Sequence, residues 1–337
     1  MTRLIQSILV TGFFLVMMAM LVRDQVIPSF KRSPGVDVDH NVLTDSWSNQ
    51  DDWLEIRVAD FPVGVFRTTA EKDEVEDFYT NTAQLQIDTP FLRGRMVSIV
   101  RLNRRLEVES ARIRGALPGA GEKLLSAEEL DAEALPPGAI EATALSDGRN
   151  LRVRIRRGDA ERYTSVRLAR PITVADSITP ILRTNMLSKG IVYRTDVYDP
   201  LWGNSAGQIE VEYMADRQER DQRGILRLRE IELRLANMKT TLWVNPQGVV
   251  VRREIPLLQP GNSPGSEEMA KGFSIVMTRL DPVLARSKHA GLDYEPRPPV
   301  VNPGDVVGKD KGDLGTGISA FSLLSKGLES RLKGGSK

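Results

Sequence analysis

The chain of 337 residues contains no cysteine and only two histidines, His40 and His289. Without thiols there is no disulfide, no thiolate nucleophile and no zinc site built on sulfur. A Ser-His-Asp site would have to take its oriented imidazole from one of two histidines that both sit in flanking segments. Charge of one sign is also missing. The 46 basic and 45 acidic residues leave a net charge of +1, so no overall field draws nucleic acid, and none is expected as a partner. Nucleotide-loop spacing is absent too. "GALPGAGEKLL" (115–125) fits neither G-x-G-x-x-G nor G-x-x-x-x-G-K-[ST] and reads as a turn. Asp196, Asp199, Glu210 and Glu212 could supply a carboxylate pair for hydrolysis. Acids this frequent form such pairs by chance, so no catalytic residue, cofactor or metal ligand is assigned.

Long apolar runs are scarce, with one exception. Leu4 to Val22, "LIQSILVTGFFLVMMAMLV", is 19 residues without a charge, and as a helix it would span roughly 28 Å, about a bilayer's hydrocarbon thickness. Its end, "MAMLVRDQ", has no A-x-A-like cleavage site, so residues 1–32 are expected to be an uncleaved signal anchor with its flank. Arg3 precedes the run while Arg23, Lys31 and Arg32 follow it; counted literally, these charges would leave the bulk of the chain in the cytoplasm. A short tail before a single span is, however, the usual form of an exported, anchored protein. Residues 33–50 are polar and read as a linker.

What the rest of the chain has is alternation. "WLEIRV" (53–58) and "NLRVRIRRG" (150–158) place apolar residues at every second position, and similar runs lie at 63–71, 78–88, 93–102, 105–114, 161–169, 191–198 and 208–214. A period of two means one buried and one wet face, the pattern of antiparallel sheet. The arginines that alternate with these apolar positions read as solvated strand faces. In "ILRLREIELRLAN" (225–237) the apolar phase slips at Arg229-Glu230, which calls for a β-bulge or a bend. "TTLWVNPQGVVVRREIPL" (240–257) is a hairpin: Asn245, Pro246 and Gly248 favour a type I turn with a glycine bulge. If Asn245 lies opposite Val249, then Trp243 falls opposite Val251 and Leu242 opposite Arg252, with Leu242, Val244 and Val250 sharing one face.

Helical signals are few. Residues 175–190 carry Ile178, Ile181, Leu182, Met186 and Leu187 at helical spacing before Gly190, a segment able to fill the concave side of a sheet. Residues 126–135 open with Ser126 and Glu129 in capping-box spacing and predict a short surface helix. The stretch 293–337 is rich in Pro, Gly and Lys and is expected to be a tail without structure. Near its end Ile318, Phe321, Leu324, Leu328 and Leu332 recur at helical spacing over 318–332, which makes Phe321, Leu324 and Leu328 the candidate contacts with a partner.

The order of elements from about 171 to 279 resembles the β-rich domain that precedes transglutaminase-like domains in bacterial exported proteins. It is similar, more distantly, to periplasmic families akin to lipoprotein carriers. The residues that carry the resemblance are Pro171, Gly190, Tyr198-Asp199-Pro200, Trp243, Gly248 and Glu254. The catalytic Cys-His-Asp of those proteins lies in a following domain, and here no cysteine follows, so that activity does not transfer. The resemblance implies export and a curved sheet, with Trp243 in the core. The expected fold is mainly β (α+β): a curved antiparallel sheet over 51–292 packed on one or two helices, with an N-terminal transmembrane helix. The expected function is non-enzymatic binding of a partner protein or envelope component outside the cytoplasmic membrane. The alternatives are a carrier of lipid or another apolar ligand and, further off, a carboxylate-dependent envelope hydrolase.

Overall fold

The computed structural model describes residues 36–37, 44, 47–58, 60–89, 93–118, 123–168, 172–174, 182, 187–198, 206–221, 224–235, 238–256, 274–295 and 298–311. Within them the chain is mainly β. A first run of strands comprises β1 (Val36–Asp37), β2 (Gln50–Val58), β3 (Phe61–Asp73), β4 (Phe78–Asp88), β5 (Arg93–Leu102), β6 (Val108–Ala116), β7 (Ile140–Ser146), β8 (Asn150–Arg157) and β9 (Ala160–Arg167). A second comprises β10 (Thr173–Val174), β11 (Val192–Tyr198), β12 (Ala206–Asp221), β13 (Gly224–Leu235), β14 (Met238–Val244), β15 (Val250–Pro256) and β16 (Ser274–Arg279). All join one sheet. The two-residue strands β1 and β10 pair in parallel with β11, and the remaining 14 are antiparallel. The runs β2 to β9 and β11 to β16 are meanders. They meet in the middle of the sheet, where β16 pairs with β2 through Met277 opposite Ile56 and Arg279 opposite Leu54.

The alternation in the sequence decides which face closes. Inward residues of β6 to β8 (Ala111, Ala142, Ala144, Leu151, Val153 and Ile155) share one buried cluster with Ile209 and Val211 of β12, Ile231 and Leu233 of β13, and Leu242, Val244 and Val250 of the hairpin. Strands far apart in the sheet order touch through the same face, so the sheet curls round its own apolar side. Leu182 and Leu187, the described apolar positions of the 175–190 segment, are buried in that cluster. A neighbouring cluster, around Leu54, Ile56, Phe66, Ala83, Ile255 and Ile275, continues the inner face across the β2–β16 seam.

The hairpin forms its turn as expected. The amide of Gly248 donates to the Asn245 carbonyl at 2.9 Å, the Asn245 side chain accepts from the amides of Gln247 and Val249, and Gly248 takes φ +78°. Its register differs beyond the turn. A bulge between Trp243 and Val244 places Trp243 opposite Arg252 and Leu242 opposite Arg253. Trp243 is therefore half-buried on the outer face, with the Arg252 guanidinium 4.9 Å from its ring centre, rather than in the core. The phase slip in β13 is likewise resolved elsewhere than expected. β13 pairs without interruption to β14, and the irregularity lies in β12, between Tyr213 and Ala215, opposite Glu230 and Ile231. The slip sends Leu228 and Ile231 to opposite faces, and both are buried.

Two segments cover the outer face of β2 to β8. The excursion after β6 holds helix α1 (Ala127–Leu130), whose Ser126 and Glu129 form the expected capping box. Ala127 and Leu130 are fully buried against Val97, Ile99 and Ala116, so this short helix is part of a second core and not a surface decoration. Burial on both faces explains the nearly continuous apolar run of β5. After β16, helix α2 (Pro282–Lys288), capped by Asp281, lies beside β2, and Ala285 and Leu292 pack on Trp53 and Val65.

The chain then continues as a strap. Gln84 donates to the Tyr294 carbonyl at 2.6 Å, Ser110 to that of Pro299 at 3.3 Å, and Glu161 and Lys311 exchange backbone hydrogen bonds at the β9 edge. The tail predicted from composition to lack structure thus has it over 293–295 and 298–311. Its backbone groups find partners on a sheet that composition does not reveal. No helix among the described residues is long and apolar enough to cross a membrane, and the span expected at Leu4 to Val22 lies outside them.

Candidate functional site

The concave face is the first place where a ligand would be held, and among the described residues its apolar side chains pack on one another. A cavity of about 20 Å³ lies between Gln50, Asp52, Thr68, Asn81, Val250 and Arg253, room for about one water. Asp52 accepts a salt bridge from Arg279 at 2.8 Å beside it. A polar notch of this size at one end of an apolar core suits a bound water or a small ion. It does not accommodate an acyl chain.

The carboxylates weighed for hydrolysis do not converge on a cleft. Asp196, Glu210 and Glu212 lie on the outer face of β11 and β12, while Asp199 is outside the described residues. Arg194 donates to Glu210 at 3.1 Å, and Arg234 to Glu212 at 3.2 Å. Cross-strand register generates this pattern. One row runs Arg194, Glu210, Arg234, Lys239, and the next runs Glu212, Glu232, Thr241, Glu254. Arg234 and Lys239 both bind Glu232 between the rows. Such a ladder neutralises itself. His289 ends α2, where burial, and then Lys288, pull its pKa below the usual imidazole value. His40 lies outside the described residues, and among those residues no group of three or more His, Asp or Glu is placed to hold a metal. Phe321, Leu324 and Leu328 also fall outside them.

The face that sequence reading passed over is the outer side of β6 to β8. Register places Arg112, Thr143 and Arg154 side by side across three strands, and Arg114, Glu141 and Arg156 in the adjacent row. Glu141, almost fully buried, receives Arg114 at 2.6 Å, Arg156 at 3.3 Å and Arg154 at 3.4 Å. Arg112 reaches Asp131, just beyond α1, at 2.6 Å. Arg114 also donates to the carbonyls of Leu130 and Ala132, tying the excursion to the sheet. The signal in the sequence was the run Arg152, Arg154, Arg156. Which strand would bring Glu141 and Arg114 beside it could not be read from spacing.

A second buried polar assembly on the same side ties the sheet to the chain after α2. Arg67, with 2% of its surface exposed, lies 4.9 Å from the Trp53 ring centre. It donates to Asp51 at 2.9 and 3.2 Å and to the carbonyls of Leu292 and Tyr294 at 2.9 and 3.3 Å. Arg286 adds a bond to Asp51 at 2.6 Å. Burial works against the Asp51 charge, but the hydrogen bonds from Arg67 and Arg286 outweigh it and hold this carboxyl below its ordinary value.

No protein family matches the chain, and no curated protein matches it. The resemblance to the domain preceding transglutaminase-like domains and to lipoprotein carriers therefore rests on no matched family; what the structure supports is the β-rich fold. Among solved structures, the chain is similar to a β-barrel-like protein of the domain of unknown function DUF1849 from Brucella abortus. The identity is 8% and the TM-score 0.43, over 69% of this chain and 96% of that one. It is also similar to a DUF1089 family protein from Pseudomonas aeruginosa, at 12% identity and a TM-score of 0.33, over 57% of this chain and 89% of that one.

Proposed function

We infer that this chain is a non-enzymatic β-domain, tethered to a bacterial membrane through Leu4 to Val22 and exposed outside the cytoplasm. In this reading it binds a partner protein or envelope component on its surface instead of carrying an apolar ligand inside. The observation that supports binding over carrying is the packing of the concave face. Among the described residues, inner residues of both meanders pack on one another and on Leu182 and Leu187, and a notch of about 20 Å³ lies beside them. A carrier needs an apolar lining left open for its cargo. Of the carboxylates considered for hydrolysis, Glu210 and Glu212 are engaged by arginines on an outer face, which speaks against a hydrolase.

Native mass spectrometry of the full chain in detergent tests the choice. The expected spectrum is the mass of the chain alone. A stoichiometric co-purified lipid that survives detergent exchange overturns it, because a burial free energy of roughly 0.8 kcal/mol per methylene makes a long acyl chain slow to leave. Location is tested with two fusions after Lys337. A phosphatase should be active, and a fluorescent protein that folds only in the cytoplasm should stay dark; the reverse pair of results refutes the exported orientation.

A further inference from the structure

The hairpin of β12 and β13 outruns its neighbours. β11 pairs with β12 only as far as Val192 opposite Glu212, and β14 reaches β13 only as far as Val244 opposite Arg229. Beyond those points β12 and β13 continue together, from Asp216 opposite Arg229 to Asp221 opposite Gly224. Among the described residues no strand pairs with either side of this stretch, so it forms a two-stranded arm about 17 Å long. Asp216, Arg217, Gln218 and Glu219 are exposed on it. A two-stranded hairpin is marginal in water, and its free edge is a template for another strand. The β12 edge reads Asp216-Arg217-Gln218-Glu219-Arg220, and its charges complement themselves when the strand is reversed.

We propose that this arm is a homodimerisation element, in which the β12 edges of two copies pair antiparallel about a two-fold axis at Gln218 and make a four-stranded ribbon. Gln218 then lies opposite Gln218 of the second copy, Arg217 opposite Glu219, and Asp216 opposite Arg220. Two-fold symmetry makes each charged pair twice, which gives four opposite-charge pairs. Residues opposed in this register are both odd or both even in number, so the free N–H and C=O groups of one edge meet those of the other. Polar strands hold their register weakly, and here the charges fix it. Centring the axis one residue earlier sets Arg217 against itself, and one residue later sets Glu219 against itself. Within one copy Arg217 bonds Glu230 at 2.5 Å but stays more than half exposed, and its guanidinium has further donors for a second carboxylate. The dimer stands independently of the partner-binding reading.

Because the chain has no cysteine, a single introduced thiol reports the register. In the full chain in detergent, Gln218→Cys should oxidise to a disulfide-linked dimer, since opposed Cα atoms of an antiparallel pair lie about 4.5–5.5 Å apart, within disulfide reach. Asp216→Cys should not, because its two copies would stand four residues out of register, about 14 Å along the strand. Sedimentation then tests the charges. Arg217→Glu and Glu219→Arg each set like charges opposite one another twice and should weaken dimerisation roughly tenfold or more. An equimolar mixture of these two variants regains opposite charges at both places and should dimerise like the parent chain. If Arg217→Glu does not fold beside Glu230, Asp216→Arg and Arg220→Asp form the reciprocal pair instead. A chain that stays monomeric at every concentration, equal cross-linking of the two cysteine variants, or a mixture no better than its components overturns the proposal. So does a different protein pairing along this edge without self-association.

Discussion

The outer faces of the two meanders solve the same problem in opposite ways. On β11 to β15 the outward positions are charged in register, and Arg194, Glu210, Arg234, Glu232 and Lys239 neutralise one another across neighbouring strands. On β2 to β8 the outward positions include Trp53, Val65, Val97 and Ile99, and other parts of the chain lie over them. Covering has a consequence that the ladder avoids. Charges trapped beneath the cover, such as Arg67, Arg114 and Glu141, must be paired and hydrogen-bonded completely. Arg67 meets that demand with four contacts, two of them to strap carbonyls. The covered face is therefore where single substitutions do most harm, and the ladder is where they do least.

The largest effect should come from Arg67→Ala. It removes a buried guanidinium, leaves the Leu292 carbonyl without its Arg67 donor and Asp51 without its buried partner, a loss of about 3–5 kcal/mol by the measure of broken buried pairs. Chemical denaturation of the full chain checks the size. Amide exchange over 284–294 should accelerate while β13 and β14 are unchanged, and uniform acceleration would show that the strap is not a separately fastened unit. Next comes Gly64→Ala. A Cβ at Gly64 would lie 2.2 Å from the Gln86 carbonyl oxygen, so β3 and β4 must move apart at a cost of roughly 1–3 kcal/mol. A melting temperature equal to that of the parent chain would refute this close approach.

Acid should act on the same latch. The folded-state pKa of Asp51 lies below its ordinary value of 3.8. Its contribution is therefore fully present above the unfolded value and is lost as pH falls from about there through the lowered folded value. Exchange over 284–294 should rise in that window, and Asp51→Asn should flatten the rise. The smallest effect is expected on the ladder side. Arg252→Ala removes a bond to Glu254 at 3.3 Å and the contact with Trp243, worth less than about 1 kcal/mol at half-exposed positions. A loss as large as that of Arg67→Ala would erase the contrast between the faces.

Much of the sheet was legible because strand alternation is a local property. Leu54, Ile56 and Val58, or Leu151, Val153 and Ile155, face inward as their spacing requires. Local chemistry also placed the Asn245 turn and the Ser126 capping box. The errors came where a neighbour decides. The bulge at Trp243 shifts one strand of the hairpin against the other, and the irregularity that the β13 phase slip called for sits across from it in β12, between Tyr213 and Ala215. Composition misjudged 298–311 because Pro and Gly describe what a segment cannot do alone, while Gln84, Ser110 and Glu161 supply what it does in place.

By itself, then, the sequence determined the kinds of element and which face of each strand is apolar, since side-chain direction follows from backbone period. It also ruled out thiol chemistry by having no cysteine. Only tertiary structure decided that β16 joins β2, that the inner faces of the two meanders pack on one another, and that Arg112, Thr143 and Arg154 share a row. Those outcomes depend on pairings between residues distant along the chain. Such pairings are set by the summed burial of whole faces, and no local window of sequence contains that sum.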